Sequence, residues 1–161
     1  LALSVALLPA PEVIILDEPG TGVDPVSRRD IWRALHGMHR EGRTVVVATP
    51  SMDEAQLCSS LVFLSRGRVR AVGTPAEICA AYPLTVLRLE VPERRDLREV
   101  LATCLFEECH AFGAVWHLAV RDEDMARGTL AEALRRAGVV EYEISRIPPS
   151  LEDVFVLREE G

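Results

Sequence analysis

Four consecutive apolar residues, Val13, Ile14, Ile15 and Leu16, stand between Pro11 and Pro19 and run directly into Asp17 and Glu18. So short a run, so rich in β-branched residues, predicts a strand buried on both faces of a parallel sheet. Asp24 then offers an N-cap, and Pro25 suits the first helical position, where no N–H is needed. The helix predicted from there reaches Glu41 and stops at Gly42. Its inward face carries Ile31, Leu35 and Met38, with Arg28, Arg29, Arg33 and Arg40 largely outward. Thr44 to Ala48 repeats the β-branched pattern, so strand, helix and strand form a unit with a right-handed crossover.

Ser51 and Glu54 read as a capping box that starts a short helix including Ala55 and Leu57. Leu61 to Ser65 and residues 69–72 flank Arg66-Gly67-Arg68 as a β-hairpin. Thr74, Pro75 and Glu77 repeat the cap-plus-proline device for another helix, closed by Tyr82-Pro83. From Leu84 the pattern changes. Strand 84–91, helix 96–104, strands 105–112 and 114–121, helix 123–137 and strand 139–147 give βαββαβ, the ferredoxin-like split. Gly113 turns the central hairpin and Gly138 ends the second helix. Trp116, Leu118 and Val120 alternate with Val115, His117 and Ala119, the period-two signal of a half-covered sheet. Ser150 caps a last helix whose Leu151, Val154 and Phe155 share one face.

A chain of 161 residues, 48% of them hydrophobic, has room for one full domain or two small ones with cores of their own. The net charge of −7 argues against a nucleic-acid footprint. No apolar stretch approaches the ~20 residues that span a bilayer, and no signal peptide opens the chain, so a membrane is to be reached through a partner. Four cysteines without a C-x-x-C pair indicate neither a zinc knuckle nor a disulfide framework, and read as cytosolic free thiols. Cys104, Cys109 and His110 lack a fourth metal ligand and read as small core and strand residues. Leu1 opens directly into a helical apolar pattern with no N-cap before it, so the chain is expected to begin inside an element, as a fragment or an incomplete record of a longer polypeptide.

Ligands of parallel sheets sit beyond the carboxyl ends of the strands, where Asp17 and Glu18 fall. Two adjacent carboxylates there can divide a phosphoryl-transfer task, one holding Mg²⁺ through its hydration shell and the other polarising an attacking water. For an Asp-Glu pair taken alone, a solvated strand end is the ordinary reading. The surrounding residues change that. Asp17-Glu18-Pro19 and Thr21-Gly22-Val23-Asp24-Pro25 resemble the Walker B motif and D-loop of ATP-binding-cassette (ABC) ATPases, and Leu1 to Leu8 look like the helix those proteins place after their signature loop. Ser65 to Val69 and Gly73 to Ile78 are similar to the end of an ABC ATPase core. Pro149-Ser150-Leu151-Glu152-Asp153-Val154-Phe155 resembles the tail after the accessory domain in ATPase subunits of ABC-2-type exporters, the drug- and polysaccharide-export group.

The resemblance implies a partial P-loop NTPase (RecA-like) α/β sheet over 1–82, then a small α+β ferredoxin-like accessory domain over 83–161. It implies that Asp17 holds the magnesium of Mg-ATP through water, that Glu18 activates the attacking water, and that Thr21, Gly22, Val23 and Asp24 lie along a dimer interface. Where the family carries a switch histidine this chain has Pro50, which offers neither an imidazole nor an N–H. His36, His39, His110 and His117 fall outside the motif and read as surface or packing residues. There is no G-x-x-x-x-G-K-[ST] in the chain, and no glutamine loop or Ser-Gly-Gly signature, so nothing in these residues cradles the β- and γ-phosphates. In the family the phosphate-loop strand lies between those matching Thr44–Ala48 and Leu61–Ser65, so the resemblance implies a hole in the middle of this sheet unless upstream sequence fills it.

Three functions follow. The first is the C-terminal portion of an exporter ATPase that pairs with a second nucleotide-binding domain and drives an ABC-2-type permease from the cytoplasmic face. The second is a non-catalytic remnant that docks or regulates through its ferredoxin-like domain. The third, an ABC ATPase without a transporter, fits the acidic balance and the tail less well.

Overall fold

The computed structural model describes residues 11–91 and 97–160. The apolar helix expected over 1–8 and the helix start expected at Asp96 lie outside them. The chain divides into two compact units, Leu1–Leu57 and Cys58–Gly161.

In the first unit β1 (Val13–Asp17) and β2 (Thr44–Ala48) pair in parallel, Val13 opposite Thr44 and Asp17 opposite Ala48. Helix α1 (Pro25–Arg40) connects them and α2 (Met52–Ala55) follows. The expectation of a strand buried on both faces is corrected. Ile14 is 5% exposed, yet Ile15 is 77% and Val13 55% exposed, because a two-stranded sheet withdraws only alternate positions from solvent. Asp24 caps α1 as expected, Oδ1 accepting from the N–H groups of Val26 and Ser27. Gly42, at φ +91°, ends it. The buried stripe of α1 is Trp32 and Leu35, with Ile31 and Met38 only half-buried. The indole is the largest apolar surface on the helix, and it turns the stripe one position from that expected.

In the second unit β3 (Leu61–Ser65) and β4 (Arg68–Gly73) form the expected hairpin. Arg66 and Gly67 both have positive φ, +50° and +72°, as a two-residue turn that follows strand twist requires. Helix α3 (Pro75–Ala80) opens on a complete capping box between Thr74 and Glu77. The strands β5 (Thr85–Glu90), β6 (Glu108–Phe112), β7 (Val115–Val120) and β8 (Glu143–Ile147) then make one antiparallel sheet in the order β6-β7-β5-β8. With α4 (Arg98–Leu101) and α5 (Glu123–Arg136) between them, this is the ferredoxin-like arrangement.

Two strands begin later than the sequence implies. Leu105 is 96% and Val140 87% exposed, so β6 starts at Glu108 and β8 at Glu143. The core between sheet and helices holds Leu87, Leu89, Leu118, Leu130 and Leu134, all fully buried. The half-covered sheet is also corrected: Leu118, Ala119 and Val120 are buried in succession, so both faces are covered there. On the second face lies α6 (Leu151–Glu160), whose Asp153 is hydrogen-bonded to His117 Nδ1 at 3.0 Å. Asp153 also closes a cap with Ser150, accepting from its N–H and its hydroxyl, each at 2.7 Å. Phe155 of α6 meets Phe63 of β3 edge to face at 5.9 Å. The hairpin and α3 therefore pack with the C-terminal unit, ahead of the change of pattern at Leu84. Among the described residues no helix is long and apolar enough to cross a membrane.

Leu130→Ala removes a fully buried side chain from this core and is expected to cost about 3 kcal/mol. Urea unfolding followed through the fluorescence of Trp116, which packs against the same cluster, measures it. An unchanged midpoint would contradict the packing.

Candidate functional site

The site grows from the carboxyl ends of β1 and β2. One residue past β1, the Glu18 N–H donates to the Ala48 carbonyl at 2.8 Å and prolongs the ladder. Glu18 itself takes φ +46°, a conformation that costs a residue with a Cβ about 1–2 kcal/mol. Its side chain is tied down in return. The Thr21 hydroxyl donates to Glu18 Oε2 at 2.9 Å, and the Thr21 N–H donates to the Glu18 carbonyl at 3.1 Å. Asp17 and Glu18 are exposed at this edge, two carboxylates on adjacent residues with a hydroxyl beside them. Hard oxygen donors of this kind fit Mg²⁺ in its hydration shell.

The remaining candidates are arranged by the turn. Gly22, at φ +72°, bends the chain back toward α1. The Val23 carbonyl accepts from Arg28 Nη2 at 3.4 Å. Asp24 is committed to the helix cap. The Ser27 hydroxyl, and after it the Ser27 and Val26 N–H groups, hold its carboxyl below the usual carboxylate range. Pro50 is exposed, two residues beyond Ala48.

The sequence does not announce the group that braces this turn. Glu54 is 4% exposed, and its Oε2 accepts the Thr49 hydroxyl at 2.7 Å. Its Oε1 lies 3.9 Å from Arg28 Nε, which makes Arg28 half-buried where the helix pattern places it outward. Ser51 Oγ does accept the Glu54 N–H, at 3.4 Å, so the cap forms. The carboxylate, read from sequence as a capping group, is spent on Thr49 and Arg28. Gly20 makes room for it. A Cβ on Gly20 would stand 1.8 Å from Glu54 Oε1 and 2.9 Å from its Cδ. Gly20 is not among the positive-φ glycines, so the constraint at this position is space.

No protein-family model matches the chain. The chain is similar to the human phospholipid-transporting ATPase ABCA3, 31% identical over 97% of this chain and 10% of that protein. It is similar to the probable multidrug ABC transporter ATP-binding protein YbhF of Escherichia coli, 28% identical over 97% of this chain and 27% of that one. Among solved structures, that of CbiO1 from Clostridium perfringens, described as part of the ABC transporter complex CbiONQ, is 35% identical. It covers 50% of this chain and 33% of its own, with a TM-score of 0.45. The chain spans a tenth of the first relative's length and about a quarter of the second's.

Gly20→Ala is expected to push the Glu54 carboxylate from its seat and destabilise the N-terminal unit by about 1–3 kcal/mol. Combined with Glu54→Ala it should cost clearly less than the sum of the two single changes. Strict additivity in denaturation followed through Trp32 would contradict the contact. A carboxyl whose folded pKa lies below its unfolded value stabilises above the unfolded value and stops doing so as pH falls through the folded one. The Val26 and Ser27 amides should therefore stay protected from hydrogen exchange near neutral pH and lose protection only below about 3.8.

Proposed function

We propose, on the premise that this chain is homologous to the ATPase domains of ABC transporters, that it is the C-terminal portion of the ATP-hydrolysing subunit of an ABC-2-type exporter. The observation that carries the reading is the pair Asp17 and Glu18 at the carboxyl end of a strand in a parallel pair, with Glu18 anchored by the Thr21 hydroxyl. Residues 1–82 then form the end of a nucleotide-binding domain, and residues 83–161 an accessory domain that begins with the ferredoxin-like strands. The phosphate loop and signature, absent from these residues, belong to other segments of a complete protein.

In the reaction, Asp17 would hold Mg²⁺ through water. Bound there with ATP, the ion supplies positive charge to the phosphate oxygens. Glu18 does the proton work. With Oε2 occupied by the Thr21 hydroxyl, Oε1 is left to accept a proton from the attacking water, which it also orients. Thr21 to Asp24 begin three residues after Glu18, and Thr21 bonds its carboxylate, so a second nucleotide-binding domain pressed on this turn would bear on the position of the carboxylate. The partners are that second domain, as a homodimer or a tandem half, and a membrane permease that holds the subunit on the cytoplasmic face. Pro50 lowers the rate, since a proline at the switch position supplies no donor to the phosphate. The competing reading, a non-catalytic docking module, draws on the missing phosphate loop and predicts no affinity for ATP.

In the complete protein Glu18→Gln is expected to bind Mg-ATP and to lower turnover at least about 100-fold. Unchanged turnover would contradict the assignment. Pro50→His is expected to raise turnover about tenfold or more. A flat response would show that the switch position does not limit this site.

A further inference from the structure

The N-terminal unit carries a second feature, which shares Arg28 and Glu54 with the network beneath the carboxylate edge. Between α1 and the segment from α2 to Leu57 runs an open groove of about 670 Å³, within the range of small binding clefts. Leu57 supplies exposed apolar surface, the buried Trp32 also borders it, and Arg29, Arg33 and Arg40 line it from α1. The stems of these arginines add methylene surface while their heads stay in water. His36 Nε2 lies 2.9 Å from the Leu57 carbonyl, which ties the two walls together.

Two properties decide what such a groove takes. The first is charge. Four arginines line it against Asp53 and Glu54, on a chain whose net charge is −7. Arg28 is committed to Glu54 and the Val23 carbonyl. Arg33 is paired with the exposed Asp30 at 2.7 Å, a contact of little worth, and Arg29 and Arg40 stand with it against Asp53, so the local field is cationic. The acidic remainder of the chain repels extended polyanions such as nucleic acid or an anionic bilayer, but a short acidic segment can enter a local positive field. The second is the Trp32 indole. Trp32 is 6% exposed, and its Nε1–H has no hydrogen-bond acceptor among the described residues. Buried donors left without an acceptor are uncommon. This donor is already stripped of water, so an acceptor that reaches it gains a hydrogen bond without a further desolvation cost on the protein side.

We propose that the α1–α2 groove is a docking site for an acidic peptide segment of a partner protein, with an aromatic or aliphatic side chain seated against Leu57 and the arginine stems, a peptide carbonyl accepting from the Trp32 Nε1–H, and carboxylates facing Arg29, Arg33 and Arg40.

Selection of random displayed peptides against the 161-residue chain tests it. The expected pool is rich in Asp and Glu around Phe, Trp or Leu. Its affinity should fall with salt and drop at least about tenfold for the triple variant Arg29→Glu, Arg33→Glu, Arg40→Glu. These three side chains are exposed, so the variant is expected to fold. On binding, the Trp32 indole N–H resonance should shift while that of Trp116, in the other compact unit, stays in place. A pool without acidic bias, full binding by the triple variant, or an unmoved Trp32 resonance would overturn the proposal. Recruitment to vesicles of anionic phospholipid through the same arginines, with no peptide enriched, would replace the peptide with a membrane surface.

Discussion

A carboxylate taken out of water must find partners, and Glu54 finds them in two separate pieces of chain while a third makes room for it. Thr49 comes from the end of β2, Arg28 from the first turns of α1, and Gly20 from the turn after β1. Glu54 therefore fixes how far that turn stands from the strand that receives Glu18. With the Glu18 N–H on Ala48 and the Thr21 hydroxyl on Oε2, the exposed carboxylate of Glu18 is held by bonds on both sides of a conformation its backbone does not favour. The chemistry at the edge depends on a network lying beneath it.

The C-terminal unit is organised differently. Its sheet is filled on one face by leucines from β5, β7 and α5, and sealed on the other by α6 through the His117–Asp153 pair. The same Asp153 closes the cap of α6 with Ser150. One buried carboxylate thus sets where α6 begins and which strand it lies on. Phe155, one turn on from Leu151, brings the β3–β4 hairpin into the same body.

Much of this was legible in the chain. Caps and turns were clearest, since Asp24, Thr74 and Ser150 each do what their side chains allow locally, and Arg66-Gly67 makes the turn its flanking strands need. The βαββαβ order was readable because alternation and helical periodicity change at each boundary. Strand limits at Leu105 and Val140 were not, because an apolar side chain left in solvent looks the same in sequence as one that is packed. Covering of the second sheet face was hidden too, since it depends on α6 returning across it. Asp17, Glu18 and Thr21 could be read together because they are neighbours in sequence, while Glu54 was read as a cap and Arg28 as an outward helix residue, not as partners. Their meeting is a long-range event, and a serine three residues before Glu54 already supplied a sufficient local reason for its presence.

The measurement that bears most directly on the ATPase reading is the intact mass of the native polypeptide in its source cell, with any sequence preceding Leu1 read at the same time. The account predicts a substantially larger product whose upstream part carries a phosphate-binding loop and a signature loop, so that Asp17 and Glu18 have a nucleotide to act on. A native product of only these 161 residues would contradict it and leave the C-terminal unit and the arginine-lined groove as the places where function resides.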